Sequence, residues 1–429
     1  LRSFLPLYGL ACLLGLPLAL AYLWWRGRRD PLYRQHLAER FGRYRARMAG
    51  AVWIHAVSLG EVRSAVPLIR AFLDRGDVVV VSHFTPAGRR ETARVLAAEI
   101  AAQRVAAVWI PFETSWAWNG FLRSFRPRLG LVMEVEHWPR MILAARAAGV
   151  PLFPCNAQYP ARSFTADRDR RRWRFQAIGR YAGALVKSDL QADRFRATGL
   201  RRVIVTGELR FDQPVPVAAV RAGLAARAAL AEGRRVIAIA SAVEGEDDTY
   251  LRAIRTLRAD LAARDQAALV VYVPRRPERF AEVGQRLAAA GLRVGARSRL
   301  FDAALAPQGP LPQIDVLLGD SLGEMYFYLA MADRVVVGGG FTPRGAHNII
   351  EPLVLGKPVL TGPVTWPIEY PFAEAALAGV ARSVPDAAAL AAALLDPREP
   401  PPGAIAAFVA AHSGAAARTL AALDRLTSR

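Results

Sequence analysis

The sequence predicts an α/β protein built from two similar open-sheet halves, preceded by an apolar helix at the N-terminus. Three observations predict it. Short apolar runs alternate with alanine-rich helical stretches, the alternation of a parallel sheet covered by helices. That pattern breaks near 211–217, where Asp212, Pro214 and Pro216 suit neither helix nor strand, and then restarts. Phe4 to Trp25 is a run of 22 residues without a charge, the length of a membrane-crossing helix.

The composition sets the frame. The chain has 429 residues, 53% of them hydrophobic and 22% charged, enough apolar surface for two or three packed domains and too much for wholesale disorder. Its 57 basic and 37 acidic residues give a net charge of +20, and only Lys187 and Lys357 among the basic residues are lysines. Such an excess favours anionic partners. No recognition-helix motif or aromatic-basic platform organises it for nucleic acid. Cys12 and Cys155 lie far apart in apolar surroundings and form neither a disulfide framework nor a zinc site, which fits a reducing compartment.

In chain order, the apolar run ends on Trp24 and Trp25 and is followed by Arg26, Arg28, Arg29 and Arg34. Interfacial aromatics backed by a basic cluster fit a single anchor, over residues 1–30, whose C-terminal side is cytoplasmic. Ala19-Leu20-Ala21 could be a cleavage site, but arginines directly after it hinder export. A buried amphipathic helix is the other alternative, and the run has no polar face. Strands are then expected at 52–57, 78–82, 105–110 and 129–133, with helices at 62–73, 88–101 and 140–148 between or after them. After the break come a strand at 236–240, a helix at 247–263, and strands at 268–273, 335–337 and near 358–360. Residues 404–426 read as one or two amphipathic helices. The expected organisation is an N-terminal domain over 31–212, a linker over 213–232 and a C-terminal domain over 233–429, facing each other across a cleft. Ligands of such sheets bind beyond the C-terminal ends of the strands.

Five stretches at those ends carry chemistry. His55-Ala-Val-Ser58-Leu-Gly60-Glu61 runs from a strand into a helix. Ser58 and Gly60 leave N–H groups at the helix start, and Glu61 is either a general base for a substrate hydroxyl or a carboxylate complementing the helix dipole. In Met133-Glu134-Val135-Glu136-His137, strand alternation puts Glu134 and Glu136 on one side, as a working acid pair or a solvated strand end. Asn156 and Gln158 add polar groups to the same rim. The run Arg162 to Arg174 holds Asp167 and Asp169, a D-x-D whose acids have arginines as competing ion-pair partners; the run is a solvated face or a surface for lipid phosphates. Arg275 follows a strand end, where a guanidinium can clamp a phosphate. Gly319-Asp320-Ser321-Leu322-Gly323-Glu324 is a further strand-to-helix turn with an N-terminus that can bind an anion. Finally, Gly338-Gly339-Gly340 precedes Gly345-Ala346-His347-Asn348-Ile349-Ile350-Glu351. The glycines let backbone approach a ligand, a helix starting near His347 aims N–H groups at a phosphate, and Glu351, one turn later, can take the two hydroxyls of a ribose.

Taken in order, H-A-V-S-L-G-E at 55–61, F-R-P-R-L at 125–129, M-E-V-E-H-W-P at 133–139, G-E-L-R-F-D at 207–212, S-A-V-E-G-E at 241–246, V-P-R-R-P-E-R-F at 273–280, G-D-S-L-G-E at 319–324 and G-A-H-N-I-I-E-P at 345–352 resemble the Kdo transferases. That family adds 3-deoxy-manno-octulosonic acid (Kdo) from CMP-Kdo to a lipid A precursor in lipopolysaccharide biosynthesis. The resemblance spans essentially the whole chain. It implies the GT-B architecture, inverting chemistry without cofactor or metal, and a place at the cytoplasmic face of the inner membrane, against anionic lipids. By motif it implies Glu61 as catalytic base and Glu134 as a second acid at the reaction centre. Arg275, Gly323, Glu324, Gly339, Gly340, His347, Asn348 and Glu351 would bind the donor. Ser58, Gly60, Asn156, Gln158 and Arg162 would bind a phosphorylated lipid acceptor.

The sequence also departs from the family. His137 stands where leucine is usual, Gln158-Tyr159-Pro160 replaces Arg-Leu-Ser, Arg276 replaces histidine, Ala242-Val243 replaces Thr-His, and Ala346 replaces a glycine. These changes keep open a related transferase with another lipid or glycan acceptor, and a non-catalytic membrane-tethered lipid-binding protein. A nucleotide-sugar epimerase of the same build is a third alternative, against which the apolar N-terminal run argues.

Overall fold

The structure, a computed structural model, describes residues 4–428; residues 1–3 of the expected anchor and the final residue of the expected C-terminal domain lie outside the described residues. The chain divides into two compact units, one running up to Gln213 and resuming at His412, the other Pro214–Ala411.

The first unit holds a five-stranded parallel sheet of β1 (Val52–His55), β2 (Val79–His83), β3 (Val105–Trp109), β4 (Leu129–Met133) and β5 (Leu152–Cys155), in the order β3-β2-β1-β4-β5. Almost every residue of these strands is buried, so they read as continuous apolar runs, as strands covered on both faces must. The order reverses between β1 and β4, which makes the C-terminal ends of these two strands the place where such a sheet offers a crevice. A short parallel pair follows, β6 (Ala184–Val186) with β7 (Val203–Val205).

The second unit holds a seven-stranded parallel sheet. Its strands are β8 (Arg235–Ala242), β9 (Ala268–Pro274), β10 (Val294–Ala296), β11 (Val316–Leu318), β12 (Arg334–Val337), β13 (Val359–Thr361) and β14 (Ala381–Ser383). They lie in the order β10-β11-β9-β8-β12-β13-β14, with the reversal between β8 and β12.

Three expectations are corrected. The apolar N-terminal run is two helices, Phe4–Leu14 and Leu16–Arg26, bent by 44° at Gly15, because Pro17 has no N–H to continue the ladder and its ring crowds the preceding turn. Together they are long and apolar enough to cross a membrane. The expected linker is mostly the helix Val217–Ala231, which packs within the second unit through Gly223, where a Cβ would lie 2.3 Å from the Phe327 carbonyl. The tail is two helices, and the last, Ala415–Thr427, belongs to the first unit rather than the second. It is held there by Asp212, whose carboxylate accepts Gly414 N and Ala416 N at 2.6 Å each as a cap, and by Leu420 and Leu423 packed against the core around Leu68 and Phe72.

Candidate active site

In the first unit, candidate site residues gather at the β1/β4 reversal. Helix Leu59–Asp74 opens on a capping box: Ser58 Oγ accepts Glu61 N at 3.3 Å, and the Glu61 carboxylate accepts Val57 N at 2.6 Å and Ser58 Oγ–H at 3.2 Å. Glu61 is therefore a helix-start residue by geometry, as one of the two sequence readings had it. Its electrostatics point the other way. Burial, then the neighbouring Glu134 charge, push the Glu61 carboxyl up to about 7 against the lowering effect of the Val57 N–H. A carboxylate that only complemented a dipole would sit low. Gly60 is exposed in the first turn, whose N–H groups have no partners inside the helix.

Glu134 does not share a strand face with Glu136. β4 ends at Met133, and Glu134 takes a left-handed backbone at φ 55°, which ends the alternation. Its carboxylate instead meets Arg210 Nη2 at 2.7 Å and lies 3.8 Å from Lys187 Nζ, while Glu136 accepts Trp138 Nε1 at 2.7 Å. Both acids still act on Glu61 through space. Asn156, also left-handed at φ 50°, is 1% exposed. Its Nδ2 donates to Glu208 at 2.7 Å and its Oδ1 accepts Leu209 N at 2.9 Å, so it positions Glu208. Gln158 is half-buried and accepts Lys187 Nζ at 3.5 Å. Arg162 is exposed in the first turn of helix Ala161–Asp169. In the same helix, Asp167 is taken up by Tyr159 Oη at 3.0 Å and Arg171 at 3.1 Å, and Asp169 by Arg168 at 2.8 Å.

In the second unit, candidate site residues gather at the β8/β12 reversal, where the structure changes the meaning of the glycines. Gly339 N donates to both oxygens of the Glu246 carboxylate, at 2.8 and 2.7 Å, and Phe341 N and Val243 N reach the same carboxylate at 3.0 Å. The anion held by this turn is thus the protein's own glutamate. The glycines are required by chain-to-chain contact: a Cβ on Gly339 would lie 2.2 Å from the Gly345 carbonyl, and one on Gly340 2.5 Å from Gly362 N. The following helix is a single turn, Ile350–Val354, so it does not begin at His347, and His347 and Glu351 do not share a helical face. They nonetheless come together around Arg275. Burial and then the Arg275 charge drive His347 down to about 4, so its ring is neutral, and the Glu351 carboxylate acts on the same guanidinium. Arg275 itself is exposed just past β9. Asn348 accepts Ile350 N at 3.0 Å. Gly323 is an open turn at φ 82°, and the Glu324 carboxylate is engaged by Arg297 at 2.5 Å and by Ser321.

Comparison with known proteins decides which family the chain belongs to. Residues 35–213 match the family model described as 3-Deoxy-D-manno-octulosonic-acid transferase (kdotransferase). A 3-deoxy-D-manno-octulosonic acid transferase of Bordetella pertussis is 41% identical over 98% of this chain and 97% of its own length. The chain belongs to the Kdo transferase family. It is accordingly a glycosyltransferase. Its fold is GT-B: a glycosyltransferase of Rickettsia africae ESF-5 is similar at a TM-score of 0.56, with 10% identity over 90% of this chain and 100% of that one. The UDP-GlcNAc 2-epimerase of Neisseria meningitidis is similar at the same TM-score, with 13% identity over 88% and 100%, which reflects the shared fold alone.

Two of the departures from the family pattern are one packing change. The His137 ring, 7% exposed and driven by burial to about 3, lies edge-on to Tyr159 with centroids 6.2 Å apart, and both contact Phe195.

Sequence reasoning missed Lys187, Glu208, Arg210 and Glu246 as site residues. Lys187 is 2% exposed and joins Glu208, Glu134 and Gln158. A signal existed: it is one of two lysines in an arginine-dominated sequence. Glu208, Arg210 and Glu246 lay inside quoted motifs without an assigned role. Among the described residues no group of three or more His, Cys, Asp or Glu is placed to hold a metal ion.

Proposed function

We propose that this Kdo transferase family member moves Kdo from CMP-Kdo to a phosphorylated lipid A precursor in lipopolysaccharide biosynthesis, with inversion at the anomeric carbon. The observation that carries the reading is Glu61, a buried carboxyl at the β1/β4 reversal pushed up to about 7. A base with that affinity is half-ionised at neutral pH and can accept a proton from a sugar hydroxyl in the transition state.

In the reaction, the acceptor hydroxyl oxygen bonds to the anomeric carbon as the bond from that carbon to the CMP phosphate oxygen breaks. Glu61 takes the hydroxyl proton and CMP leaves with the bonding electron pair. Glu134, held by Arg210, keeps the Glu61 proton affinity high. Arg275 offers a guanidinium to the donor phosphate or sugar carboxylate, neutral His347 lies beside it, and Glu351 is suited to the ribose hydroxyls. The family implies membrane work, and the apolar helix pair with exposed Trp24 and Trp25 supports a place at the inner membrane, its catalytic part cytoplasmic. The exposed Arg162, Arg168, Arg170 and Arg172 suit anionic headgroups and acceptor phosphates.

The test is incubation of purified protein with CMP-Kdo and a tetraacylated lipid A precursor, counting added sugars by mass. Transfer by the wild type, lost by at least a hundredfold in Glu61→Gln and with a raised donor KM in Arg275→Ala, is expected. Wild-type rates in Glu61→Gln would remove the base assignment.

A further inference from the structure

The first unit contains a cavity of about 630 Å3 whose lining includes Glu136 but neither Glu61 nor Glu134. Its volume is within the range of about 300–1,000 Å3 typical of small-molecule sites. One wall is the N-terminal helix pair, through Cys12, Gly15 and Ala19; the facing wall is the body of the unit, through Ile110, Phe112 and Trp138. The helix pair is fixed to that body by Tyr8, whose hydroxyl donates to Glu113 at 3.0 Å, and by a Tyr8–Trp173 ring contact at 6.1 Å.

Two features indicate what fills it. The helices that line the cavity through Tyr8, Cys12, Gly15, Leu16 and Ala19 also expose Leu7, Leu10, Leu14 and Leu18, the face of a segment that meets lipid. The cavity floor includes Val135 and Glu136, the residues directly after Glu134, and Arg174, which ends the exposed arginine run. Arg40 lines the cavity at 1% exposure, with its guanidinium held by the Phe84 carbonyl at 3.1 Å and packed against the Phe84 and Trp109 rings, so it is part of the wall. Glu113, the buried carboxylate, is likewise engaged by Tyr8, Trp118, Arg140 N and Met141 N. A largely apolar slot between a lipid-facing helix pair and a basic rim matches an acyl chain whose phosphorylated headgroup stays with the arginines.

We propose that this cavity receives one acyl chain of the phosphorylated lipid acceptor, so that the enzyme measures its acceptor by chain as well as by headgroup. The inference rests on the lipid-acceptor reading above. Each methylene lost from a chain seated there would weaken binding about fourfold.

The test uses the full chain in detergent and two readouts. First, alkylation of Cys12 by N-ethylmaleimide is followed by mass, with buried Cys155 as the unreacted control. Tetraacylated acceptor should slow it at least tenfold, while the deacylated headgroup and phosphatidylglycerol at equal concentration should not. Equal protection by phosphatidylglycerol, or none by the acceptor, overturns the proposal. Second, Ala19→Trp should fill the slot and raise KM for the acylated acceptor at least tenfold, with kcat and KM for the deacylated acceptor unchanged. An unchanged KM for the acylated acceptor overturns it. Where the tryptophan variant does not fold, Ala19→Leu is expected to raise the same KM about threefold. If no acceptor receives sugar from the wild type, the function reading fails, and Cys12 protection still decides the cavity.

Discussion

Lys187 Nζ lies 2.7 Å from Glu208 Oε2 with both side chains 2% exposed, a buried ion pair at the end of β6 that joins the second acid of the site to the core. Burial raises the Glu208 carboxyl, but the Lys187 and Arg210 charges and the bonds from Lys187 and Asn156 outweigh it and hold the group below the usual carboxylate range. Removing one partner leaves a buried charge. Lys187→Met is expected to cost about 3–5 kcal/mol in urea unfolding. The double variant Lys187→Met with Glu208→Leu should cost clearly less than the sum of the singles. The Glu208 contribution is present above its unfolded pKa and is lost as pH falls through the lower folded one.

Glu61 has the opposite sign. Its folded carboxyl, at about 7, is above the unfolded value near 4.5, so the unfolded chain ionises first as pH rises. Stability therefore declines between about pH 4.5 and 7, by roughly 3 kcal/mol in all. Glu61→Gln, which keeps an oxygen for Val57 N, is expected to match the wild type in thermal unfolding at pH 4.5 and exceed it at pH 8. Over the same range wild-type kcat/KM should climb with an inflection near pH 7 as the base ionises, and the profile of the variant should be flat.

Glu246 anchors the glycine turn of the second unit through N–H groups of Val243, Gly339 and Phe341. Glu246→Gln turns an amide NH2 toward these donors and leaves at least one unpaired, at a cost of about 1–3 kcal/mol. Calorimetric titration with CMP should show affinity reduced about tenfold, with the enthalpy less favourable, because the turn that carries His347 is no longer fixed. Unchanged CMP affinity would separate the turn from the donor site.

Gly340→Ala tests whether the glycines serve packing. The added Cβ would sit 2.5 Å from both Gly362 N and Thr361 Oγ1, so the two strand-end loops must part, for about 1–3 kcal/mol in thermal unfolding. Gly309→Ala meets nothing within 4 Å and is the control, expected to be neutral or slightly stabilising.

Much of this was readable along the chain. The apolar runs of β1, β4, β8 and β9 announce a parallel sheet because strands buried on both faces must be apolar throughout, and the Ser58–Glu61 spacing announces a helix start because capping is local. The family motifs fixed the class of enzyme. Local pattern fails where backbone geometry or a distant partner takes over. Glu134 looked like a strand residue until its left-handed turn redirected it to Arg210, 76 residues away in sequence. Asn156 and Gly339 carry polar groups whose partners no local pattern announces: they are held by Glu208 and Glu246. The tail looked like part of the second unit because it follows it, but Asp212 caps it in the first. The sequence by itself determined the sheets, the helix starts and the enzyme family, since each depends on residue type at short spacing. Only the tertiary structure decided which carboxylates are buried beside one another, which therefore ionises near neutrality, and which polar groups remain for a substrate. Those depend on contacts between residues that no short spacing connects.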